Sequence, residues 1–378
     1  MKWEKVKLTD ISRPKQWKNL PISELIAEGY AVYGANGIIG RFKEYNHEFA
    51  TLAITCRGAT CGTINITEPK SYITSNAMAL DDISENVDQK FLYYALNKRG
   101  FKDVITGAAQ PQITREGLSK IVLNIPESKE FQIYIANILS KAENLIAQRK
   151  ESIRLLDEYL KSTFLEMFGD AVKNEKKWNK SELKNYAKVR IGPFGSLLHR
   201  EDYVQNGVPL VNPSHIGNGK IFIDPELTIS KNKMKELSAY VMHEGDVVLG
   251  RRGEIGRCAV VTKKEDGYLC GTGSIYIRPT AELNPVFLYN NISSASMRKV
   301  LENSAKGITM KNLNSGIIEN LKIPVPPIEL QTQFAHIVEK TEALKTQYQQ
   351  SLQELEHLYG SMSQKAFRGE LTEKPLTA

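Results

Sequence analysis

The chain has 378 residues, enough for two or three domains with real cores. Hydrophobic residues make up 41% and charged residues 25%, no stretch approaches eighteen consecutive apolar residues, and the basic start Met1–Lys7 has no apolar run behind it. That pattern argues against a membrane span or a secretory leader and leads us to expect a cytoplasmic protein. The net charge is +7: +2 over residues 1–128, −1 over 129–170, +8 over 171–326 and −2 over 327–378. The basic excess sits in two segments, where a polyanion would be met; the competing reading is ordinary solubility charge.

In chain order, 1–128 forms a first globular segment of α+β character. Thr51–Thr55 is a short apolar strand run, and the pattern around Asp88–Asn97 is helical. Residues 129–170 hold a long helix, over 129–168, in which Phe131, Ile135, Ile138, Ala142, Leu145, Arg149, Ile153, Leu156, Leu160 and Met167 recur at steps near three and four. Gly169–Lys177 is a polar linker. Residues 171–326 form a second globular segment, with strand runs at Gly245–Leu249 and Gly273–Ile277 and a helical stretch over Pro285–Asn303. Residues 327–378 carry a second long helix, over 327–367, whose stripe runs from Phe334 through Ile337, Thr341, Leu344, Tyr348, Leu352, Leu355 and Tyr359 to Ala366. Each helix would be about 60 Å long. The shared period suits an antiparallel coiled coil, whose N-terminal ends would carry the two globular segments apart; two amphipathic helices packed on their own domains are the alternative.

The second half repeats the first. Arg57-Gly58 is echoed by Arg252-Gly253, Phe91-Leu92-Tyr93 by Phe287-Leu288-Tyr289, and Ile125-Pro126 by Ile323-Pro324. Gln132 and Gln331 stand alike near the helix starts, and Trp178 stands where Trp3 stands. The offset is about two hundred residues, so this is a duplication rather than a short-period solenoid.

Motifs for catalysis are missing. Gly34–Gly40 lacks dinucleotide-loop spacing, and Gly217-Asn218-Gly219-Lys220-Ile221 has Ile where a phosphate loop needs Ser or Thr. Pro326-Pro327 is followed by Ile328, not by the aromatic residue of an amino-methyltransferase motif. The six histidines and four cysteines show no metal-ligand spacing, so no metal is expected and the cysteines read as small buried hydrophobes. Two constellations suit DNA instead. The first is Tyr33, Asn36, Arg41 and Lys43 around a glycine-rich turn, with Arg57. The second is Ser196, His199 and Arg200, with Asn212, Ser214, His215, Arg251, Arg252, Lys306, Thr309 and Lys311. Arg and Lys attract phosphates, Arg and Asn can read base edges, and glycines let backbone approach closely; the glycines alone would also fit tight turns.

The ordered, duplicated set resembles the DNA-specificity subunit of type I restriction-modification systems over nearly the whole length. The Tyr33-Gly34-x-Asn36-Gly37-x-x-Gly40 turn, the Arg-Gly loops, the Phe194-Gly195-Ser196 to Asn212 stretch and the Ile323–Gln331 helix start carry the resemblance. The first helix start lacks the second and third prolines of the other copy. The resemblance implies two target-recognition domains and no chemistry in this chain. The domains would read the halves of a split, asymmetric site on double-stranded DNA, with the helices setting the spacer. Two methyltransferase subunits would dock on the helices and methylate adenine with S-adenosylmethionine, and restriction subunits using ATP and magnesium would join them. A non-catalytic duplicated scaffold, and a specificity subunit of a related phage-defence methylation system without restriction, are the alternatives.

Overall fold

The computed structural model describes residues 2–35, 37–193, 197–305 and 312–371. The chain forms two compact units. One comprises Met1–Glu151 together with Gln349–Ala378; the other is Ser152–Tyr348. Each holds one globular segment, the start of the long helix that follows it, and the end of the other long helix.

The two units are built alike. In the first, strands Arg13–Gln16, Ala77–Asp81, Leu52–Thr55 and Ile64–Ile66 pair in that order; in the second, Ala187–Ile191, Ser274–Pro279, Val247–Gly250 and Cys258–Val260 do the same. Each unit has a further sheet with a parallel pair, three-stranded with Val32 against Tyr72 in one unit and four-stranded with Leu210 against Leu269 in the other. Each unit is closed by an antiparallel ribbon leading into its long helix, Trp3–Lys7 on Val122–Pro126 and Lys180–Glu182 on Lys322–Pro324. The short helices Gln89–Arg99 and Pro285–Ser293 also correspond, capped by the Asp88 and Asn284 side chains. The helical stretch expected over Pro285–Asn303 is broken at Ser294, whose hydroxyl caps a second helix, Ala295–Ser304.

The long helices run Lys129–Phe168 and Ile328–Phe367, 40 residues each. Their starts are fixed by one device used twice. Gln132 is buried; its carbonyl accepts from the Asp88 N–H at 2.8 Å while its amide donates to the Pro126 and Asn86 carbonyls. Gln331 does the same with Asn284 N–H, Pro326 and Glu282. One buried amide thus satisfies three backbone groups and ties helix start, ribbon and capping loop together. The helix ends correspond too. Phe367 packs on Phe91 at 5.6 Å in the first unit, and Phe168 on Phe287 at 4.8 Å in the second.

Within each unit the two long-helix segments run antiparallel. In the first, Tyr359 donates to Glu143 at 2.9 Å and Lys150 meets Glu356 at 2.8 Å; in the second, Lys345 meets Asp157 and Phe334 packs on Phe164. Both readings of the helices therefore hold in part. Phe131, Ile135 and Leu139 are buried in the core of the segment before them, and the coil forms farther along. Leu145 and Leu344, expected in the seam, are turned outward, 51% and 37% exposed. Thr341, expected as a polar break, is buried with its hydroxyl on the Ile337 carbonyl. Among the described residues no helix is long and apolar enough to cross a membrane.

Candidate nucleic-acid interface

The Arg-Gly loops leave the third strand of each four-stranded sheet at the same place and in the same way. After Leu52–Thr55, the Cys56 carbonyl accepts from Ile113 N–H at 3.0 Å and Arg57 bridges to Gln112. After Val247–Gly250, the Arg251 carbonyl accepts from Leu313 N–H at 3.0 Å and Arg252 bridges to Asn312. Gly58 and Gly253 follow with φ of 87° and 73°, a conformation that costs glycine nothing. Each arginine is thus pinned by its own bridge and by the hydrogen bond of the residue before it, with glycine at the turn that follows. Arg57 and Arg252 are both exposed, and neither makes a side-chain hydrogen bond or ion pair among the described residues. Each presents a guanidinium fork that fits guanine N7 and O6 or a phosphate.

The other candidates sort by burial. Tyr33 is core: its ring is buried, its hydroxyl accepts from Glu68 N–H at 3.1 Å, and burial pushes the phenol up from its ordinary value. His215 is buried too, with Nδ1 2.8 Å from the Leu210 carbonyl and 3.3 Å from Asn212 N–H. Arg251 is buried beneath the loop and donates from Nε to Asn312 at 2.9 Å; burial, then the like charge of Arg252, draws its guanidinium below its ordinary range. These three shape the loops that carry other groups. Asn212 is half-buried against Gly271, where a Cβ would stand 2.2 Å from its side-chain oxygen. Arg41 is exposed and donates to the Gly29 carbonyl, and Lys43 stands 3.6 Å from Glu44 on open surface. His199 and Ser214 are exposed. Asn36, Ser196, Lys306, Thr309 and Lys311 lie outside the described residues, as does the Arg200 side chain. Gly217–Ile221, which carried a partial phosphate-loop motif, is a tight hairpin with Asn218 and Gly219 at positive φ.

The structure adds groups that the sequence did not single out. In the first unit Gln16 reaches Cys56 Sγ at 3.2 Å and the Ser75 carbonyl at 3.1 Å, and Ser75 donates to Asn19. Trp17, beside Gln16, donates to Asp81, which also meets His47 at 3.0 Å, and Lys15 lies 3.5 Å over the indole. Gln112 and Asn312 join through their backbone bridges. Both lie more than fifty residues downstream of the arginines, and only strand register brings them there. Among the described residues no group of three His, Cys, Asp or Glu is placed to hold a metal.

Comparison with known proteins converges on one description. A model of the type I restriction modification DNA specificity domain matches residues 1–155 and 175–357. The specificity subunit of the type I restriction enzyme MjaVIII, from Methanocaldococcus jannaschii, is 24% identical over 88% of this chain and 84% of its own. That of EcoBI, from Escherichia coli, is 22% identical over 92% and 76%. The solved S subunit of a type I system from M. genitalium has a TM-score of 0.66 at 18% identity, covering 97% of this chain and 96% of that one. A chain from a structural study of type I complex assembly and conformational transition gives 0.55 at 18%, covering 98% of both.

Proposed function

The chain belongs to the type I restriction-modification DNA specificity family, and from that premise we propose that it is the non-catalytic subunit that reads a bipartite, asymmetric duplex site. The first unit takes one half of the site with the Arg57 face and the second takes the other half with the Arg252 face. The observation that carries this reading is the pair of Arg-Gly loops: identical backbone pairing, exposed unengaged guanidinium groups, and different side chains around each. Equal frames with unequal surroundings suit two different half-sites. The long helices set the spacer between them, and their exposed leucines, Leu145, Leu155, Leu165 and Leu358, offer apolar contacts to protein partners. Those partners are two methyltransferase subunits and, with them, restriction subunits. S-adenosylmethionine, ATP and magnesium are held by the partners, and this chain contributes position.

The test is a single-molecule methylome of the host with and without the gene. Loss of one split, asymmetric, adenine-methylated motif on deletion is the expected result. An unchanged methylome, together with DNA binding that lacks sequence preference and has a shallow salt dependence, would replace this reading with the scaffold one.

A further inference from the structure

We propose that Gln16 reads one base of the first unit's half-site by accepting a hydrogen bond from an exocyclic amino group, adenine N6 or cytosine N4. This inference rests on the reading above and adds the chemistry of one position.

Gln16 ends the edge strand Arg13–Gln16, and its side chain is exposed. Its amide nitrogen lies 3.1 Å from the Ser75 carbonyl oxygen and 3.2 Å from Cys56 Sγ. A carbonyl oxygen can only accept, so the nitrogen must point inward and the amide cannot be flipped. Two protons meet two acceptors, and the donor capacity of the group is spent inside the protein. What remains is Oε1, which accepts from no described group. A free glutamine can pair with adenine through both a donor and an acceptor. This one is held so that it offers acceptance alone.

In the major groove only adenine N6 and cytosine N4 present amino donors; guanine presents N7 and O6, and thymine presents O4, all acceptors. Opposite guanine or thymine, Gln16 Oε1 would be left facing another acceptor. Its anchor Cys56 directly precedes the exposed Arg57 in the chain, so both belong to the same strand-to-loop junction. The second unit lacks the device. Gln16 pairs with Met78 where Thr55 pairs with Ala77; the matching pairs are Ile191 with Ile275 and Gly250 with Ser274. Ile191 stands at the Gln16 position and has nothing to accept with. The effect therefore belongs to one half-site only.

The experiment selects bound duplexes from a randomised pool with the full chain in its complex, as wild type and as Gln16→Met and Gln16→Ala. Wild type is expected to yield two constant blocks. Both variants are expected to lose roughly tenfold in preference at one adenine or cytosine of one block, keeping the other block and the melting temperature. In parallel, wild-type protein is titrated with duplexes in which each such adenine is replaced by purine, or each cytosine by 2-pyrimidinone, deleting the amino group. The same position should weaken by a similar factor, and the analogue that weakens it names the base. Unchanged preference in the variants, loss in both blocks, or insensitivity of every position to amino deletion would overturn the assignment while leaving the bipartite reading in place. Absence of any block with wild type would instead overturn that reading, and this inference with it.

Discussion

Arg57 and Arg252, which the proposed function sets against DNA, are held in place by backbone pairing alone. Since neither side chain stabilises the fold, replacing either with Ala should change stability by less than about 0.5 kcal/mol. DNA affinity should fall by roughly 1–3 kcal/mol where a base is read, and the slope of log affinity against log salt should drop by about one for each phosphate left without its cation. Melting curves and salt titrations of the single variants check both halves of that expectation. At this scale the sequence was half legible. Repetition of Arg-Gly at matching positions singled out the two exposed guanidinium groups. It could not separate them from Tyr33, His215 and Arg251, because residue type says nothing of depth: all three are buried with partners. Gln16 was invisible for the opposite reason, being an ordinary surface residue until strand pairing brings it against Ser75 and Cys56.

The elements were more legible than the residues. Proline before and glycine after delimited the first long helix, and its period of apolar residues was read across the full 40 residues. The sheets that hold the parallel pairs were not, because Tyr72–Ile73, Tyr203–Val204, Thr228–Ile229 and Leu269–Cys270 are two-residue strands that leave no periodicity to detect. The glutamine clamps make a prediction at this level. Gln132→Leu fits the volume but orphans Asp88 N–H and two carbonyls, and should cost about 3 kcal/mol in urea denaturation; Gln331→Leu should do the same to the second unit. A second prediction concerns Tyr94 and Tyr359, which clasp Glu143 at 2.7 and 2.9 Å. Burial, then the hydrogen bond to Glu143, raises both phenols above their ordinary value near 10. A raised value favours the neutral form in the folded protein. The stabilisation is whole below pH 10 and drains away as pH climbs toward the folded value. Urea midpoints measured from pH 9 upward should fall more steeply for wild type than for Tyr359→Phe.

At the scale of the whole molecule, the duplication was the most legible feature of the sequence, and the structure carries it down to paired hydrogen bonds. Under the proposed function, inserting seven residues into both long helices keeps the seam in register and adds about 10.5 Å. The tolerated spacer should widen by roughly three base pairs; binding selection on duplexes of graded spacing reads this directly, and an unchanged spacer would mean the helices do not measure it.

The composition of the first unit also bears on how the chain is made. That unit needs residues 349–371: Ala366 is fully buried in its core, and Phe367 covers Phe91. A ribosome working at about 5–20 residues per second releases them some tens of seconds after Glu151. Throughout that interval the nascent N-terminal half carries an uncovered apolar seat around Phe91, while the second unit, contiguous from Ser152 to Tyr348, can close first. The half that is translated first is therefore the half that finishes last, and in the meantime it is the part of the chain that most needs a chaperone.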